Sequence, residues 1–268
     1  MTDPGRESDS PAYGATCRDG VLRVRKSGTE WLSTGWNGGH SSGPVAYNIL
    51  VPTGWTCDAV GVYVEGRLER AGFDESGPVL LTGVDLEHAR GAHCGPVTVY
   101  VTAGISNPAA LPMDPPGGEL PDGRLEEGGT GTGEERGAPG SPAGTVNVLV
   151  GTTRALEPGA LANLLTVAAE AKAATLLAET GFPGTTTDAV VVGHDPTGPP
   201  SEFSGSATAA GAATRACVRE AVRASLRSRY ESPDTDASIP ASVADAKYGV
   251  STDVRATVVR LESDEPKR

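Results

Sequence analysis

Several polar side chains that could hold or activate a ligand stand at the ends of apolar, strand-like runs. Ser106 and Asn107 follow the run 97–102 after Gly104, which interrupts it. Asp188 immediately precedes a second apolar run at 189–192. Ligands of α/β proteins usually bind where strands end. Hydroxyl, amide and carboxylate groups placed there could supply hydrogen-bond donors and a general base.

Lys172 is a further candidate for a chemical role, because it is a charged residue in an alanine-rich helical segment. At about 100° per residue it shares a side with apolar residues, whereas Glu170 points to roughly the opposite side. The residues on the same side are Leu161, Leu164, Leu165, Ala168 and Thr175. A lysine there must extend its ammonium to water, find a partner or lose its charge. It is therefore either an edge residue of the apolar stripe or a functional cation, held by a carboxylate such as Asp188.

The elements that carry these residues form a strand–helix–strand unit between 144 and 194. The runs 146–150 and 189–192 are rich in valine, which suits strands buried on both faces. The intervening helix is expected to begin at Glu157-Pro158-Gly159 and to end before Gly181 and Pro183. A helix of this length is the connection that two parallel strands require.

The remaining patterns predict a single α/β or α+β domain over residues 13–262, with a mixed sheet and long helices packed on it. Residues 21–26 and 31–33, separated by a Ser-Gly-Thr turn, are expected to form a hairpin. Strands are expected at 45–51, 78–84 and 97–102, and helices at 58–70, capped by Thr56 or Asp58, and at 207–230. Residues 238–261 are expected to add a closing element.

A glycine-rich run between Ser33 and Pro44 could let a ligand approach the backbone closely, or it could be a long hairpin turn. It has neither the Walker spacing nor the dinucleotide fingerprint. We take Gly38, Gly39 and the following Asn48 as candidate substrate-binding residues. His40 has no second histidine at metal-ligand spacing, so no metal site is predicted.

Three further segments carry little chemistry of their own. Residues 112–143 are dense in Gly, Pro and Glu and are expected to be a disordered insertion. Residues 1–12 and 263–268 are expected to be flexible tails.

Arginines recur every fourth residue along the second long helix, at 215, 219, 223 and 227. They could grip an anion, but on an acidic chain a salt-bridged surface is favoured.

The composition predicts an intracellular protein adapted to salt. Asp and Glu number 34 against 22 Lys and Arg, a formal net charge of −12. This excess opposes non-specific binding to nucleic acid or anionic membranes, and it suits a salt-rich cytoplasm of a halophilic organism. No secretory signal or membrane span is recognised. Four cysteines without a C-x-x-C pair are expected to be isolated core residues. The oligomeric state is left open.

Five stretches in order resemble the archaeal adenosylcobinamide amidohydrolase family of corrinoid salvage: VTAGISN, GTVNVLV, AAEAKAATL, PGTTTDAVVV and SGSATAAGAATRACVREAV. The resemblance implies hydrolysis of the amide that joins aminopropanol to the corrin ring of adenosylcobinamide. The corrinoid is then substrate, and no cofactor is expected. The residues matched to the family pattern are Thr102, Gly104, Ser106, Asn107, Thr145, Asn147, Glu170, Lys172, Thr185, Thr186, Thr187 and Asp188.

The resemblance supplies candidates for each role in amide hydrolysis. Asp188 or Glu170 would be the base, Lys172 a cation or acid, and Asn107, Asn147 and the turn 185–187 the hydrogen-bond donors. The chain departs from the family pattern at Pro108 and in the long insertion after it. Two alternatives stay open: a corrinoid-binding protein without catalysis, and a threonine-nucleophile amidase that matures by cleavage before Thr145.

Overall fold

Two β-sheets stacked face to face form the centre of the molecule, and helices cover both outer faces. The computed structural model describes residues 10–52, 55, 57, 59–120, 144–232, 237–246 and 248–261. Side chains from both sheets, among them Leu22, Trp31, Leu80, Leu149 and Val191, meet in one buried core. The described residues are therefore arranged in four layers, helix–sheet–sheet–helix.

The first sheet has four strands. Its order is β1 (Gly14–Arg18), β2 (Val21–Arg25), β5 (Val45–Leu50) and β6 (Val79–Thr82). The pairs β1–β2 and β2–β5 are antiparallel, and β5–β6 is parallel. Helix α1 (Val60–Ala71) makes the parallel connection, packs Val64 against this sheet and ends at Gly72, whose φ of 69° is left-handed.

The second sheet has six strands. Its order is β4 (Gly39–Ser42), β3 (Glu30–Ser33), β12 (Ala189–His194), β10 (Val146–Thr152), β8 (Val97–Ala103) and β7 (Arg90–Cys94). Only β10 and β12 run parallel within it. Two short pairs flank the sheets: β9 (Ala109–Ala110) with β14 (Val250–Ser251), and β11 (Ala155–Leu156) with β13 (Pro200–Ser201).

Two long helices cover the outer face of the six-stranded sheet. Helix α2 (Pro158–Thr180) has a proline in its first turn and ends at Gly181 with φ 80°. Helix α3 (Ala209–Tyr230) begins at Thr208, whose hydroxyl accepts a hydrogen bond from the Gly211 N–H. Short 3-10 turns lie at Leu86–His88 and Val243–Asp245.

The predicted strand–helix–strand unit is confirmed, because α2 connects the parallel strands β10 and β12. Helix α2 is also long and apolar enough to cross a membrane by composition. Leu161, Leu164 and Ala168 instead place one side of it in the core against the sheet. Its hydropathy is therefore explained by packing.

Two sequence predictions were wrong, and one strand of the six-stranded sheet was missed. The hairpin of 21–26 with 31–33 does not exist, because β2 and β3 belong to different sheets. The edge strand β7 was not predicted, since Arg-Gly-Ala-His-Cys lacks a strand-like apolar pattern. Of the cysteines, only Cys217 is a buried core residue; Cys17 and Cys94 are exposed and Cys57 is half-buried.

Three predictions fall partly or wholly on residues outside the described ranges. The helix at 58–70 is confirmed as α1, but the proposed caps Thr56 and Asp58 are not among the described residues. Of the predicted disordered insertion, residues 112–120 are described and contain no helix or strand, whereas 121–143 lie outside the description. The predicted tails 1–12 and 263–268 also lie largely or wholly outside it.

Candidate functional site

A network of buried polar side chains lies between the two sheets, at one end of both. Its members are Asn48, Thr82, Thr102, Thr145 and Asn147, each at most 1% exposed. The Asn48 amide donates to Thr102 Oγ1 at 2.9 Å, and the Asn147 amide donates to Asn48 Oδ1 at 2.9 Å and to the Leu81 carbonyl at 2.9 Å. Burying so many polar groups is costly unless they are paired, so this network is a specific feature of the fold.

Strand direction explains why these residues meet. Strands β5, β6 and β8 end at this end of the molecule, and β10 begins there. Thr102 lies opposite Asn147 in the antiparallel pair of β8 and β10. Thr82 joins the two sheets, with its hydroxyl 2.9 Å from Thr145 Oγ1 and 3.4 Å from Thr102 Oγ1. The network therefore ties the strand ends of both sheets together.

Lys172 and Asp188 form a buried ion pair beside the network. Lys172 is 9% exposed, and its ammonium donates to Asp188 Oδ2. The same carboxylate accepts from the Val146 N–H at 2.8 Å, from the Thr185 N–H at 3.1 Å and from the Thr185 hydroxyl at 2.5 Å. Four donors thus surround one carboxylate, which fixes the turn before β12 against the start of β10.

Asn107 connects this turn to the loop after β8. Its side-chain amide donates to Thr186 Oγ1 at 2.6 Å. The Thr186 backbone N–H in turn donates to the Asn107 backbone carbonyl at 3.2 Å. The C-terminal segment lies over the same loop, because the Tyr248 N–H donates to the Ser106 carbonyl at 3.3 Å and Val250 pairs with Ala109. The predicted closing element therefore exists as an extended segment that covers the loop 106–110.

Unsatisfied polar atoms concentrate at this end of the molecule. Among the described residues, six buried side-chain nitrogen or oxygen atoms have no hydrogen-bond partner, and four of them belong to Ser106, Asn107, Asn147 and Arg229. Buried polar atoms are normally paired, so a cluster of unpaired ones indicates a place where a ligand or water is bound. Within the described part of the chain, this cluster is the geometric feature that points most directly to a bound ligand.

Two glycines bring the loops of the site into close approach. A Cβ on Gly144 would lie 2.4 Å from Ser106 Oγ and 2.5 Å from the Ser106 nitrogen, and Gly144 has a φ of 85°. A Cβ on Gly104 would lie 2.8 Å from Val84 Cγ2 and 3.3 Å from the Gly144 Cα. A side chain at Gly144 would collide with the Ser106 backbone, and one at Gly104 would have to displace the Val84 side chain. The contact between the two glycines places Ser106 beside the start of β10.

The structure brings most of the predicted site residues together, and leaves a few apart. Glu170 lies on the outer surface of α2, where its carboxylate is 3.8 Å from Arg215. Gly38 and Gly39 line a separate cavity of about 230 Å³ together with His40. Thr187 is exposed at the tip of the turn. The residues that do converge are Asn48, Thr102, Gly104, Ser106, Asn107, Thr145, Asn147, Lys172, Thr185, Thr186 and Asp188.

Sequence reasoning missed Thr82, Arg229 and Tyr230. Thr82 ends the apolar strand β6, so the rule that selected Ser106 could have selected it too. Tyr230, at the end of α3, accepts the Ile105 N–H at 2.7 Å through its hydroxyl. The sequence analysis considered only the arginines spaced four residues apart and favoured a salt-bridged surface for them. Arg215, Arg219 and Arg223 do form salt bridges. Nothing in the sequence distinguished Arg229 from them.

The described residues contain no group of three or more His, Cys, Asp or Glu side chains placed to hold a metal ion. The described residues that converge at the site bring together amides, hydroxyls, one buried ion pair and one arginine. These groups can orient a polar substrate and stabilise developing charge.

Comparison with known proteins identifies the family. The family description "Adenosylcobinamide amidohydrolase" matches residues 6–234 of this chain. The chain belongs to the adenosylcobinamide amidohydrolase family. This confirms the resemblance inferred from the five ordered stretches. It also means that the converging residues of the site lie within the family-matched region, whereas the C-terminal covering segment lies beyond it.

Two curated relatives carry the name adenosylcobinamide amidohydrolase. The protein from Halobacterium salinarum is 56% identical over 250 residues, which cover 92% of this chain and 99% of the relative. The protein from Methanosarcina mazei is 27% identical over 219 residues, which cover 78% of this chain and 95% of the relative. The similarity to both members of the adenosylcobinamide amidohydrolase family spans almost their full length.

Proposed function

We propose that this protein hydrolyses the amide that links 1-aminopropan-2-ol to the corrin ring of adenosylcobinamide. The products are adenosylcobyric acid and 1-aminopropan-2-ol, and the reaction serves cobinamide salvage for cobalamin biosynthesis. Water supplies an oxygen to the carbonyl carbon, the C–N bond breaks, and the amine nitrogen takes a proton. Family membership and the names of both relatives support this substrate.

The observation that carries the proposal is the cluster of unpaired polar atoms on the loop 104–107 and at the start of β10. The free Oδ1 atoms of Asn107 and Asn147 are acceptors suited to amide N–H groups, which the corrin side chains and the scissile bond both present. The Ser106 hydroxyl, also free, can donate to a carbonyl oxygen. These three side chains match a substrate rich in amides.

The Lys172–Asp188 pair is proposed to position the site and not to exchange protons with the substrate. All four acceptor positions of the Asp188 carboxylate are used by Lys172, Thr185 and the Val146 N–H. A carboxylate whose acceptor positions are all occupied has no free oxygen to offer to a water or a substrate proton. The pair instead holds Thr186 where it meets Asn107.

A second catalytic scheme, with Thr145 as the nucleophile, is favoured by one observation. Thr145 begins the central strand β10 inside the polar network, and the hydrogen-bond partners of that network are amides, hydroxyls and backbone groups. A threonine freed by cleavage after Gly144 would bring its own α-amino group as the base that the network lacks. Intact-mass measurement separates the schemes, because an active uncleaved chain eliminates this one.

We further propose a single-domain cytoplasmic enzyme in a salt-rich cell, without nucleic-acid or membrane partners. The net charge of −12 and the similarity to a Halobacterium salinarum protein support this setting. The corrinoid acts as substrate, and no further cofactor is proposed.

The test is direct assay of the purified protein in high salt with adenosylcobinamide. We expect equimolar adenosylcobyric acid and 1-aminopropan-2-ol, measured by mass spectrometry. Corrinoid binding without product over a long incubation would favour the binding-protein alternative. A folded protein that neither binds nor cleaves the corrinoid would contradict the proposed function.

A further inference from the structure

Arg229 is an unusual arginine of helix α3, because its Nε atom is buried and has no hydrogen-bond partner among the described residues. Three of the other arginines on this helix are ion-paired, and a fourth, Arg227, is exposed. Arg215, Arg219 and Arg223 each lie within 4 Å of a glutamate, namely Glu170, Glu220 and Glu179. In a chain with 34 acidic residues against 22 basic ones, a buried guanidinium N–H that meets no carboxylate in the described structure needs an explanation.

The position of Arg229 links it to the loop of the candidate site. Its Nε lies 3.2 Å from the place where a Cβ on Gly104 would stand. The neighbouring Tyr230 holds the same loop through the Ile105 N–H, and the Arg229 guanidinium lies 5.6 Å from the Tyr230 ring centroid. Arg229 is therefore placed against the backbone that leads directly into Ser106.

The second glycine extends this neighbourhood to Ser106 itself. Gly144 approaches Gly104 on one side and Ser106 Oγ on the other. The unpaired Arg229 N–H and the unpaired Ser106 hydroxyl thus flank one glycine pair. Two unsatisfied groups that can donate hydrogen bonds, one of them cationic, form a site suited to an anionic oxygen.

We propose that Arg229 binds the oxygen that becomes negative during amide hydrolysis and remains in the product as carboxylate. This inference rests on the proposed function. The amide oxygen of the substrate is neutral, whereas the tetrahedral intermediate and the adenosylcobyric acid product carry negative charge on it. A guanidinium therefore interacts more strongly with the intermediate and the product than with the substrate. Lys172 does not serve this purpose, because Asp188 already neutralises it.

The experiment compares Arg229→Met with Arg227→Met, a matched change at an exposed arginine of the same helix. For Arg229→Met we expect kcat/KM to fall about 100-fold, the loss typical of one oxyanion donor, while KM changes little. We expect the inhibition constant of adenosylcobyric acid to rise at least about 10-fold, as for the loss of one charge-assisted hydrogen bond. Arg227→Met should match the wild type in both measurements.

Two further variants keep the test decisive. Arg229→Ala should regain part of its activity when guanidinium ion is added below denaturing concentration, whereas a structural role would give no rescue. If Arg229→Met fails to fold, Arg229→Lys retains a cation without the planar fork and should lose activity while keeping its melting temperature.

The proposal is overturned if folded Arg229→Met retains wild-type turnover and product affinity. It is also overturned if activity falls without guanidinium rescue and without weaker product binding. A wild-type protein that fails to cleave adenosylcobinamide would contradict the proposed function instead. In that case titration with adenosylcobyric acid still tests Arg229, because equal affinity of the wild type and Arg229→Met would exclude a role in binding the carboxylate.

Discussion

At the scale of residues, the site depends on one buried cation, Lys172, which is held by a carboxylate. Lys172 lies on the core-facing side of α2, as the helical periodicity predicted, and its partner is Asp188, the carboxylate named from the sequence. An ammonium that merely extended to water would not be 9% exposed and bound to a carboxylate. The alternative of a lysine at the edge of the apolar stripe is therefore excluded, while a role in catalysis stays a prediction.

Replacement of Lys172 by methionine tests how much this pair contributes. It leaves the Asp188 carboxylate buried with three remaining donors, so we expect the free energy of unfolding to fall by about 2–3 kcal/mol, less than for a fully orphaned charge. Turnover should fall strongly, because Thr186 and Asn107 lose their fixed position. Melting temperature and aminopropanol release are measured on the same sample.

The matched control is Arg215→Met, which removes an exposed partner of Glu170. Such surface pairs contribute less than about 1 kcal/mol, so stability and turnover should be nearly unchanged. A Lys172→Met protein with wild-type stability and activity would show that the buried pair is dispensable.

At the scale of elements, local sequence patterns predicted elements that are adjacent in the chain. They did not predict which strands pair when those strands are far apart in the sequence. The parallel strands β10 and β12 and the helix between them were predicted correctly, because burial and capping signals lie within the unit. The short turn between β2 and β3 suggested a hairpin, but β3 pairs with β12 about 160 positions further along the chain. Pairing at such a distance leaves no local signal in one sequence.

The same limit applied to the site. Strand-end logic found Ser106 and Asn107, and the family resemblance added Thr145 and Asn147. Neither indicated that Thr82 joins Thr145 from the opposite sheet. The division into two sheets was not predicted, because the separate four-stranded sheet depends on how β1, β2, β5 and β6 pair. Glu170 was matched to the family pattern, yet helical phase already placed it opposite Lys172, and the structure puts it on the surface.

The element whose role is easiest to test is the acidic insertion. Its composition predicts that residues 112–143 contribute no core. Replacing 121–143 with a short Gly/Ser linker should leave melting temperature and turnover nearly unchanged. Replacing 112–143 also removes a contact with the C-terminal segment that covers the loop 106–110. In that contact the Arg255 Nε–H donates to the Pro115 carbonyl at 2.8 Å.

Comparing the two replacements by thermal melting and by aminopropanol release separates these contributions. A large loss of stability from the shorter replacement would show that the insertion packs against the domain. A difference confined to the longer one would assign the effect to residues 112–120.

At the scale of the whole molecule, one ion pair joins the two sheets at the end remote from the site. Lys26 follows β2 and Asp195 follows β12, and their side chains meet at 2.6 Å. Partial burial by itself raises the pKa of Asp195, but hydrogen bonds from Lys26 and Thr197 outweigh it and lower the pKa to about 2. The folded state thus favours the charged carboxylate.

This pair predicts a defined dependence on pH. A carboxyl group with a lowered folded-state pKa stabilises the protein fully above its unfolded-state pKa of about 3.9, and the contribution is lost as pH falls toward 2. Asp195→Asn should therefore lower the free energy of unfolding by about 1–2 kcal/mol at pH 7. The difference from the wild type should shrink between pH 4 and pH 2.

Urea unfolding at several pH values provides the measurement. Asp245→Asn changes net charge equally at an exposed position and is the control. A wild-type minus Asp195→Asn difference that stays constant down to pH 2 would contradict the assignment.

The measurement that tests the central claim most directly is the time course of 1-aminopropan-2-ol release from adenosylcobinamide by the purified protein, with Asn147→Leu in parallel. Asn147 is the network residue whose free oxygen faces no partner in the described structure. We predict that the wild type releases aminopropanol and adenosylcobyric acid in equal amounts, and that a folded Asn147→Leu releases them far more slowly. No release by the folded wild type, or equal rates for both proteins, would contradict the account.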